Sequence, residues 1–492
     1  MKSLQGLVLI TVDCLRADHV GFLGYHRPTT PFLDSLAKHS IVFSNAIVAG
    51  TPTYYALPAL FASRYPLAFG RDVIGLAPDE STMASILQES GFATAAFIAG
   101  NPYISAQFGY DRGFDVFRNS LLEERRGPDL AGYGSSFRTR TNRVLSATCH
   151  SLPGLGPAYD ELYFHYCQSR AAGRQESFDS LRRFPSADAI VDHAAGWLTE
   201  NSNRPFLLWL HFMDPHAPYY PKSEALGLMG DGSMTATDAR YLNSYWARGG
   251  LDERRLEKKC DQVIKLYDAG IRWADEQIRR LTERLVELNV WDKCALAVTA
   301  DHGEEFLDHG ARFHTPLKLT EELIRVPLMI RVPSHGHAEV GEPTSLIHLA
   351  PTLLDILELS SPADFRGQSC WKRTGKPGGQ SPAITEAVHG CANPLISQNR
   401  MAARILSLRQ KHYKLIINFS SRSEELFDLQ SDPHERSPLP AAIAKPVRRQ
   451  LLQHARKHLV ESHQSRDFGQ RNAALLRDLR LEWAHPSASA PN

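Results

Sequence analysis

Short, wholly apolar runs that each stop at a metal-competent or hydrogen-bonding side chain restrict the fold of this 492-residue chain more than any other feature. Residues 294–298 form one such run, which passes through Thr299-Ala300 into Asp301-His302-Gly303. Residues 7–12 form a second, ending in Asp13-Cys14-Leu15-Arg16-Ala17-Asp18. Residues 206–210 deliver His211, Asp214 and His216, and residues 92–99 lead into Gly100-Asn101. Strands with no polar alternation are those of parallel sheets covered on both faces; a strand with one wet face alternates. The expected fold is therefore α/β, a mostly parallel central sheet sandwiched by helices. In such open sheets, ligands lie beyond the carboxyl ends of the strands.

Asp13, Asp301 and His302 then share one rim, and two carboxylates with an imidazole make a hard-to-borderline metal site. Gly303 lets the backbone turn closely around it. Taken alone, Asp301 also reads as a helix N-cap beside a solvent-facing His302. Cys14 has two readings. As a thiolate ligand it pulls preference from Ca²⁺ towards Zn²⁺ or Mn²⁺; pointed into the sheet, it is core. The expected cofactor is one divalent ion: Ca, Mn or Zn.

Six motifs occur in order: Val-Asp-Cys-Leu-Arg-Ala-Asp (12–18), Thr-Pro-Phe-Leu-Asp-Ser-Leu-Ala (30–37), Ala-Leu-Phe-Ala-Ser-Arg-Tyr-Pro (59–66), His-Phe-Met-Asp-Pro-His-Ala-Pro-Tyr (211–219), Thr-Ala-Asp-His-Gly-Glu-Glu-Phe (299–306) and Glu-Glu-Leu-Ile-Arg-Val-Pro-Leu (321–328). Together they resemble the sulfatase-type branch of the alkaline phosphatase superfamily, with a weaker match over residues 412–435. The resemblance implies a metal-dependent sulfatase-like hydrolase acting on a sulfate or phosphate ester. In sulfatases a Cys or Ser within C/S-x-P-x-R is converted to formylglycine. Counting back from Arg64-Tyr65-Pro66 puts Thr53 at that place, with Tyr55 for the Pro and Leu57 for the Arg. Oxidation of Thr would yield a ketone, not an aldehyde. A Thr here resembles the phosphodiesterase and phosphotransferase branches, where Thr attacks phosphorus. Thr51 is a rival nucleophile, and a capping Thr is the plain alternative.

The resemblance implies Thr53, His216 and His314 as catalytic residues, and Asp13, Asp301, His302 and Thr53 as metal ligands. Lys318 matches a family Lys that contacts the transferred anion. Asn101 and His211, at strand ends, are candidate substrate contacts; a loop Asn is the ordinary alternative for the former. A His is the natural proton donor near neutral pH.

Composition bounds the partners. With a net charge of +1 there is no global field to recruit nucleic acid or an anionic membrane. No apolar run approaches the ~20 residues of a membrane span. Seven cysteines (14, 149, 167, 260, 294, 370 and 391) include no C-x-x-C pair, which suits reduced thiols. The chain is expected to be cytoplasmic, without nucleic acid or stable membrane insertion, and carries no signal of oligomeric state. Residues 1–360 are expected to form the catalytic domain, with an insertion at 118–186 as a possible lid carrying Arg138, Arg140 and Arg143. Residues 361–461 are expected to form a smaller C-terminal α+β subdomain, and 462–492 a polar tail. The substrate class is a small-molecule, glycan or lipid ester. Two other functions fit the same residues: a phospho-group transferase acting on a glycan or lipid, and a non-catalytic anion-binding relative.

Overall fold

The apolar runs form the middle of one sheet in the computed structural model, which describes residues 4–71, 73–120, 147–149, 151, 155–171, 176–314, 318–333, 335–371, 381–391, 393–440 and 445–461. In chain order its strands are β1 (Gly6–Val12), β2 (Ile41–Ile47), β3 (Ala93–Ile98), β4 (Val116–Asn119), β5 (Phe206–Phe212) and β6 (Cys294–Ala300). After a small hairpin of β7 (Glu305–Phe306) and β8 (Arg312–Phe313) come β9 (Arg325–Arg331), β10 (Ala338–Val340) and β11 (Thr344–Ser345). The order is β10-β2-β9-β6-β1-β5-β3-β4, with β11 joining β2. Among the described residues of this sheet, β9 alone runs antiparallel to its neighbours; β7 and β8 pair separately. Every residue of β1, β3, β5 and β6 is buried, as the absence of polar alternation requires.

Register sets the site. Val12 lies opposite both Phe212 and Ala300. The three central strands therefore end at one height, and Asp13 and Asp301 each stand one residue beyond it. Helices cover the sheet. The longest, Glu253–Glu287, is capped by Asp252, whose Oδ1 accepts from Arg254 N at 2.7 Å, and buries Val263, Leu266, Tyr267, Ile271 and Ile278. Each such aliphatic side chain contributes about 1.5–3 kcal/mol. The helix Thr53–Ala62 persists through Pro58 because all ten of its residues are buried, and packing offsets the ~3 kcal/mol that an interior proline costs. Among the described residues no helix is long and apolar enough to cross a membrane.

Residues 118 and 119, expected to open the insertion, instead belong to β4 at the sheet edge. The helix Leu155–Ala171 docks on the helix Ala236–Trp246 through Phe164, whose ring centre is 5.6 Å from that of Tyr241, and Glu161 pairs with Arg248 at 3.0 Å. Arg138, Arg140 and Arg143, and the tail at 462–492, lie outside the described residues.

The C-terminal subdomain is an antiparallel sheet of β12 (Ala383–Val388), β13 (Arg404–Gln410), β14 (Tyr413–Asn418) and β15 (Ser423–Asp428). The helix Lys445–Glu461 packs on it through Leu451, Ala455 and Leu459. Glu386 fastens it to the larger domain. Its Oε1 accepts from Leu67 N at 2.8 Å, and its Oε2 lies 3.1 Å from His458 Nε2 and 3.7 Å from Arg404 Nη1. Burial pushes the carboxyl up, but His458, Arg404 and the Leu67 amide outweigh it and bring it from 4.5 down to about 2. A depressed carboxyl stabilises the fold above its unfolded value, so this contribution is lost as pH falls from about 4.5 towards 2. It amounts to about 3 kcal/mol. Melting temperature followed against pH should fall through this window in the wild type and less steeply in Glu386→Gln. Equal slopes would remove Glu386 from the account.

Candidate active site

Asp13 leaves β1 and is held from behind by a buried chain of hydrogen bonds. Trp209 Nε1 donates to Thr11 Oγ1 at 3.0 Å, and Thr11 Oγ1 lies 2.8 Å from His211 Nδ1. The ionised Asp13 carboxylate beside Nε2 can only accept, so Nδ1 is left as the acceptor of the Thr11 hydroxyl. His211 then carries its proton on Nε2, which donates to Asp13 Oδ2 at 3.3 Å. Asn101 Nδ2 donates to the same oxygen at 2.9 Å. Asp13 Oδ1 faces the rim and accepts from Cys14 Sγ at 3.1 Å.

Cys14 follows with φ +60°, a left-handed conformation that a non-glycine residue adopts at a cost of about 1–2 kcal/mol. Tyr267 of the long helix secures the turn: its hydroxyl donates to the Cys14 carbonyl at 2.6 Å and accepts from Arg16 N at 3.0 Å. Arg16 grips Asp18 and Asp308 with paired hydrogen bonds and reaches the Glu304 carbonyl at 3.1 Å, tying the β1 and β6 loops together.

At the end of β6, Asp301 Oδ1 accepts from His302 N at 3.0 Å, while Oδ2 is buried without a hydrogen-bond partner. Gly303 is required next. A Cβ there would stand 1.9 Å from the Glu322 carbonyl oxygen, so any larger residue would force the loop off the sheet. His302 Nδ1 lies 2.8 Å from the Gly303 carbonyl and must carry the proton, which leaves Nε2 as a lone pair. Thr53 Oγ1, at the start of its helix, is 3.2 Å from that Nε2. Thr51 makes no such contact.

Two more histidines close the site. His216 Nδ1 donates to the Ala217 carbonyl. His314 Nδ1 is 3.0 Å from Glu304 Oε2 and 3.4 Å from Cys14 Sγ. The His314 ring lies 4.7 Å from that of His302 and 5.0 Å from that of His216. Tyr219 donates to Glu304 Oε1 at 2.6 Å. Burial, above all, lowers the pKa of His216. Burial also opposes the charge on His314, but the adjacent Glu304 carboxylate outweighs it and raises the pKa. Asp13 is pushed up by burial and pulled further down by His216, His211 and His302, ending well below the usual carboxylate range.

Asp13, Asp301 and Glu304 are all fully buried, and among the described residues no Lys or Arg forms an ion pair with any of them. Asp13, Asp301 and His302 present donor atoms within 4.8 Å of one another. Buried carboxylates without a Lys or Arg partner, Asp301 among them with an unpartnered oxygen, fit a divalent ion.

Three residues expected to contact substrate have partners within the protein. His211 is fully buried with both ring nitrogens engaged, and it orients Asp13. Asn101 gives its amide to Asp13 and its carbonyl oxygen to Tyr103 N. The Lys318 ammonium is held by Glu305 at 3.0 Å and by the His309 carbonyl, because a buried carboxylate attracts it more strongly than an open cleft does. Thr11, Trp209, Tyr219, Tyr267 and Glu304 were missed. Glu304 and Tyr219 stand inside the 299–306 and 211–219 motifs, which was the available signal; Trp209 sits in an apolar run and carried none.

Comparisons agree with this geometry. A family model described as Sulfatase matches residues 5–359, and one described as N-sulphoglucosamine sulphohydrolase, C-terminal, matches residues 312–465. The chain is 26% identical to arylsulfatase K of Bos taurus over 287 residues, and the match spans 50% of each chain. It is 22% identical to the multifunctional alkaline phosphatase superfamily protein PehA of Trinickia caryophylli, over 88% of this chain and 91% of that one. The crystal structure of the phosphonate monoester hydrolase of Agrobacterium radiobacter superposes with a TM-score of 0.63 at 18% identity, covering 92% of this chain and 96% of that chain. With most of its length matched by the family model, and the motif residues meeting at one rim, the chain belongs to the sulfatase family of ester hydrolases within the alkaline phosphatase superfamily.

Proposed function

We propose that the protein hydrolyses phosphate or sulfate esters in a divalent-metal-dependent reaction with Thr53 as nucleophile. The observation that carries this reading is the meeting of Thr53 Oγ1 with His302 Nε2 at 3.2 Å, beside the unpartnered Asp301 Oδ2. An ion held by Asp13, Asp301 and His302 supplies Lewis-acid charge neutralisation and lowers the pKa of a coordinated hydroxyl. Thr53 opens a ten-residue helix, whose first-turn amides and positive dipole end favour the transferred anion. Its hydroxyl releases its proton to solvent and Oγ1 attacks in line: the new bond joins Oγ1 to phosphorus or sulfur, the ester bond to the leaving oxygen breaks, and Thr53 takes a proton back when water releases the group. His314 carries a proton by virtue of Glu304 and gives it to that oxygen. His216, kept neutral by burial, orients the transferred group and then accepts a proton from the water that releases it from Thr53.

The acid must be protonated, so turnover falls as pH rises through the His314 pKa, which lies above 6.5. Loss of a general acid costs roughly 10²–10⁴-fold, most where the leaving oxygen is basic. His314→Gln should therefore slow alkyl esters far more than nitrophenyl esters, and His216→Gln should slow both alike. Equal slowing of both ester types in His314→Gln would reduce that residue to a positioning role.

Relatives named for both sulfur and phosphorus chemistry support the ester class, and the hydroxyl nucleophile favours phosphorus. A panel of aryl sulfate, phosphate monoester, phosphodiester and phosphonate monoester tests the reading. Phosphorus esters are expected to be turned over faster. Absence of turnover on the whole panel would defeat the hydrolase reading.

A further inference from the structure

We propose that Glu305, His309 and Glu322 form a second divalent-ion site, separate from the Asp13–Asp301–His302 set and weaker than it, which takes Zn²⁺ or a similar borderline ion. Glu305 opens β7, His309 lies in the turn between β7 and β8, and Glu322 belongs to the short helix Glu321–Ile324. The three present donor atoms within 4.8 Å of one another. Their hydrogen bonds leave two atoms over. Glu305 is fully buried. Its Oε1 accepts from His309 N at 3.0 Å, Ala311 N at 2.9 Å and Lys318 Nζ at 3.0 Å, while Oε2 is buried without a hydrogen-bond partner. His309 Nδ1 lies 2.8 Å from Glu322 Oε1; an ionised carboxylate can only accept, so Nδ1 carries the proton. Nε2 is then the lone pair of the neutral ring, and it too is buried without a partner.

A carboxylate oxygen and an imidazole lone pair are both acceptors, so neither satisfies the other, whereas a cation satisfies both. A carboxylate that holds one ring nitrogen while the other is offered to an ion is the arrangement of metal-bound histidines, and Glu322 supplies it. An imidazole among carboxylates suits Zn²⁺. Lys318 shares Glu305 and repels an incoming ion. Where His309 is protonated, the Nε2 proton must leave to solvent as the ion binds. Both effects weaken the site, so it fills with added metal and is empty in protein as isolated. Its place gives it a purpose. Phe313 ends β8 and His314 follows it, so an ion joining Glu305 and His309 to Glu322 braces the hairpin from which the acid projects. The same short helix backs the catalytic loop, where Leu323 O accepts from Gly303 N at 2.9 Å.

Zinc titration of the full chain, with its first site already loaded, provides the test. Calorimetry should show a second, weaker equivalent. His309→Gln and Glu305→Gln should each lose the second equivalent and keep the first. Asp301→Ala should lose the first and keep the second. Melting temperature should rise as zinc is added beyond the first equivalent in the wild type, and not in His309→Gln. A zinc-edge anomalous difference map from wild-type crystals equilibrated with Zn²⁺ should place the second ion beside Glu305 and His309, a readout that needs no variant. Saturation at one equivalent that Asp301→Ala removes, a second equivalent that survives both glutamine variants, or a second ion mapped elsewhere would overturn the proposal and leave the catalytic metal standing. A single equivalent lost in His309→Gln but kept in Asp301→Ala would support this site and defeat the catalytic one.

Discussion

Asp301→Ala is expected to abolish bound metal and to lower turnover by on the order of 10³-fold or more, with the fold retained. The size follows from the several kcal/mol a metal contributes to neutralising transition-state charge, at ~1.4 kcal/mol per decade. Retention of the fold follows from what Asp301 touches. One oxygen accepts only the adjacent His302 amide and the other has no hydrogen-bond partner. Truncation therefore orphans a single amide, leaves the β6 ladder whole and removes a buried charge that is costly without a cation. Elemental analysis, circular dichroism and turnover, measured on one preparation, check all three parts. A folded variant with unchanged metal content would remove Asp301 from the ligand set.

Thr53→Ala is expected to lose nearly all activity, and Thr53→Ser to keep part of it. In enzymes whose catalytic groups act as a unit, loss of the nucleophile costs several orders of magnitude. Thr53 is buried at its helix start and its hydroxyl is the group that meets His302, so alanine removes the attacking atom and little packing. Serine preserves the hydroxyl and loses a methyl group that restricts its rotamer. Formylglycine plays no part in this mechanism. Protein from a host lacking the formylglycine-generating enzyme should be fully active, and its intact mass should show no modification at residue 53. Wild-type turnover in Thr53→Ala would make water the nucleophile. Faster cleavage of sulfate than of phosphorus esters by unmodified protein would leave the covalent mechanism in place and reverse the substrate preference.

Much of this site was readable before any coordinates. Wholly apolar runs can be buried only in a sheet covered on both faces, and polar residues that interrupt such runs must emerge at strand ends. That logic, with the ordered motifs, identified Asp13, Asp301, His302, Thr53, His216 and His314, and the structure brings all six to one rim. The fold class and the α+β character of the C-terminal subdomain were legible for the same reason: periodicity reports burial. Strand direction and neighbours were not. An apolar run such as β9 reads alike parallel or antiparallel, and only pairing with β2 and β6 sets its direction.

The direction in which a rim side chain points was also decided by tertiary structure. His211 and Asn101 stand at strand ends exactly as a substrate contact would, but shared register with β1 and β3 turns both towards Asp13. Lys318 turns to Glu305, 13 residues earlier in the chain. Cys14 was either core or ligand on sequence grounds, since a buried thiol is compatible with both. Its left-handed backbone and a tyrosine 253 residues away put the sulfur against Asp13. Local pattern thus determined which residues are buried and where strands end. Long-range packing decided which of the buried polar groups face one another, because that depends on contacts between segments with no shared local signal.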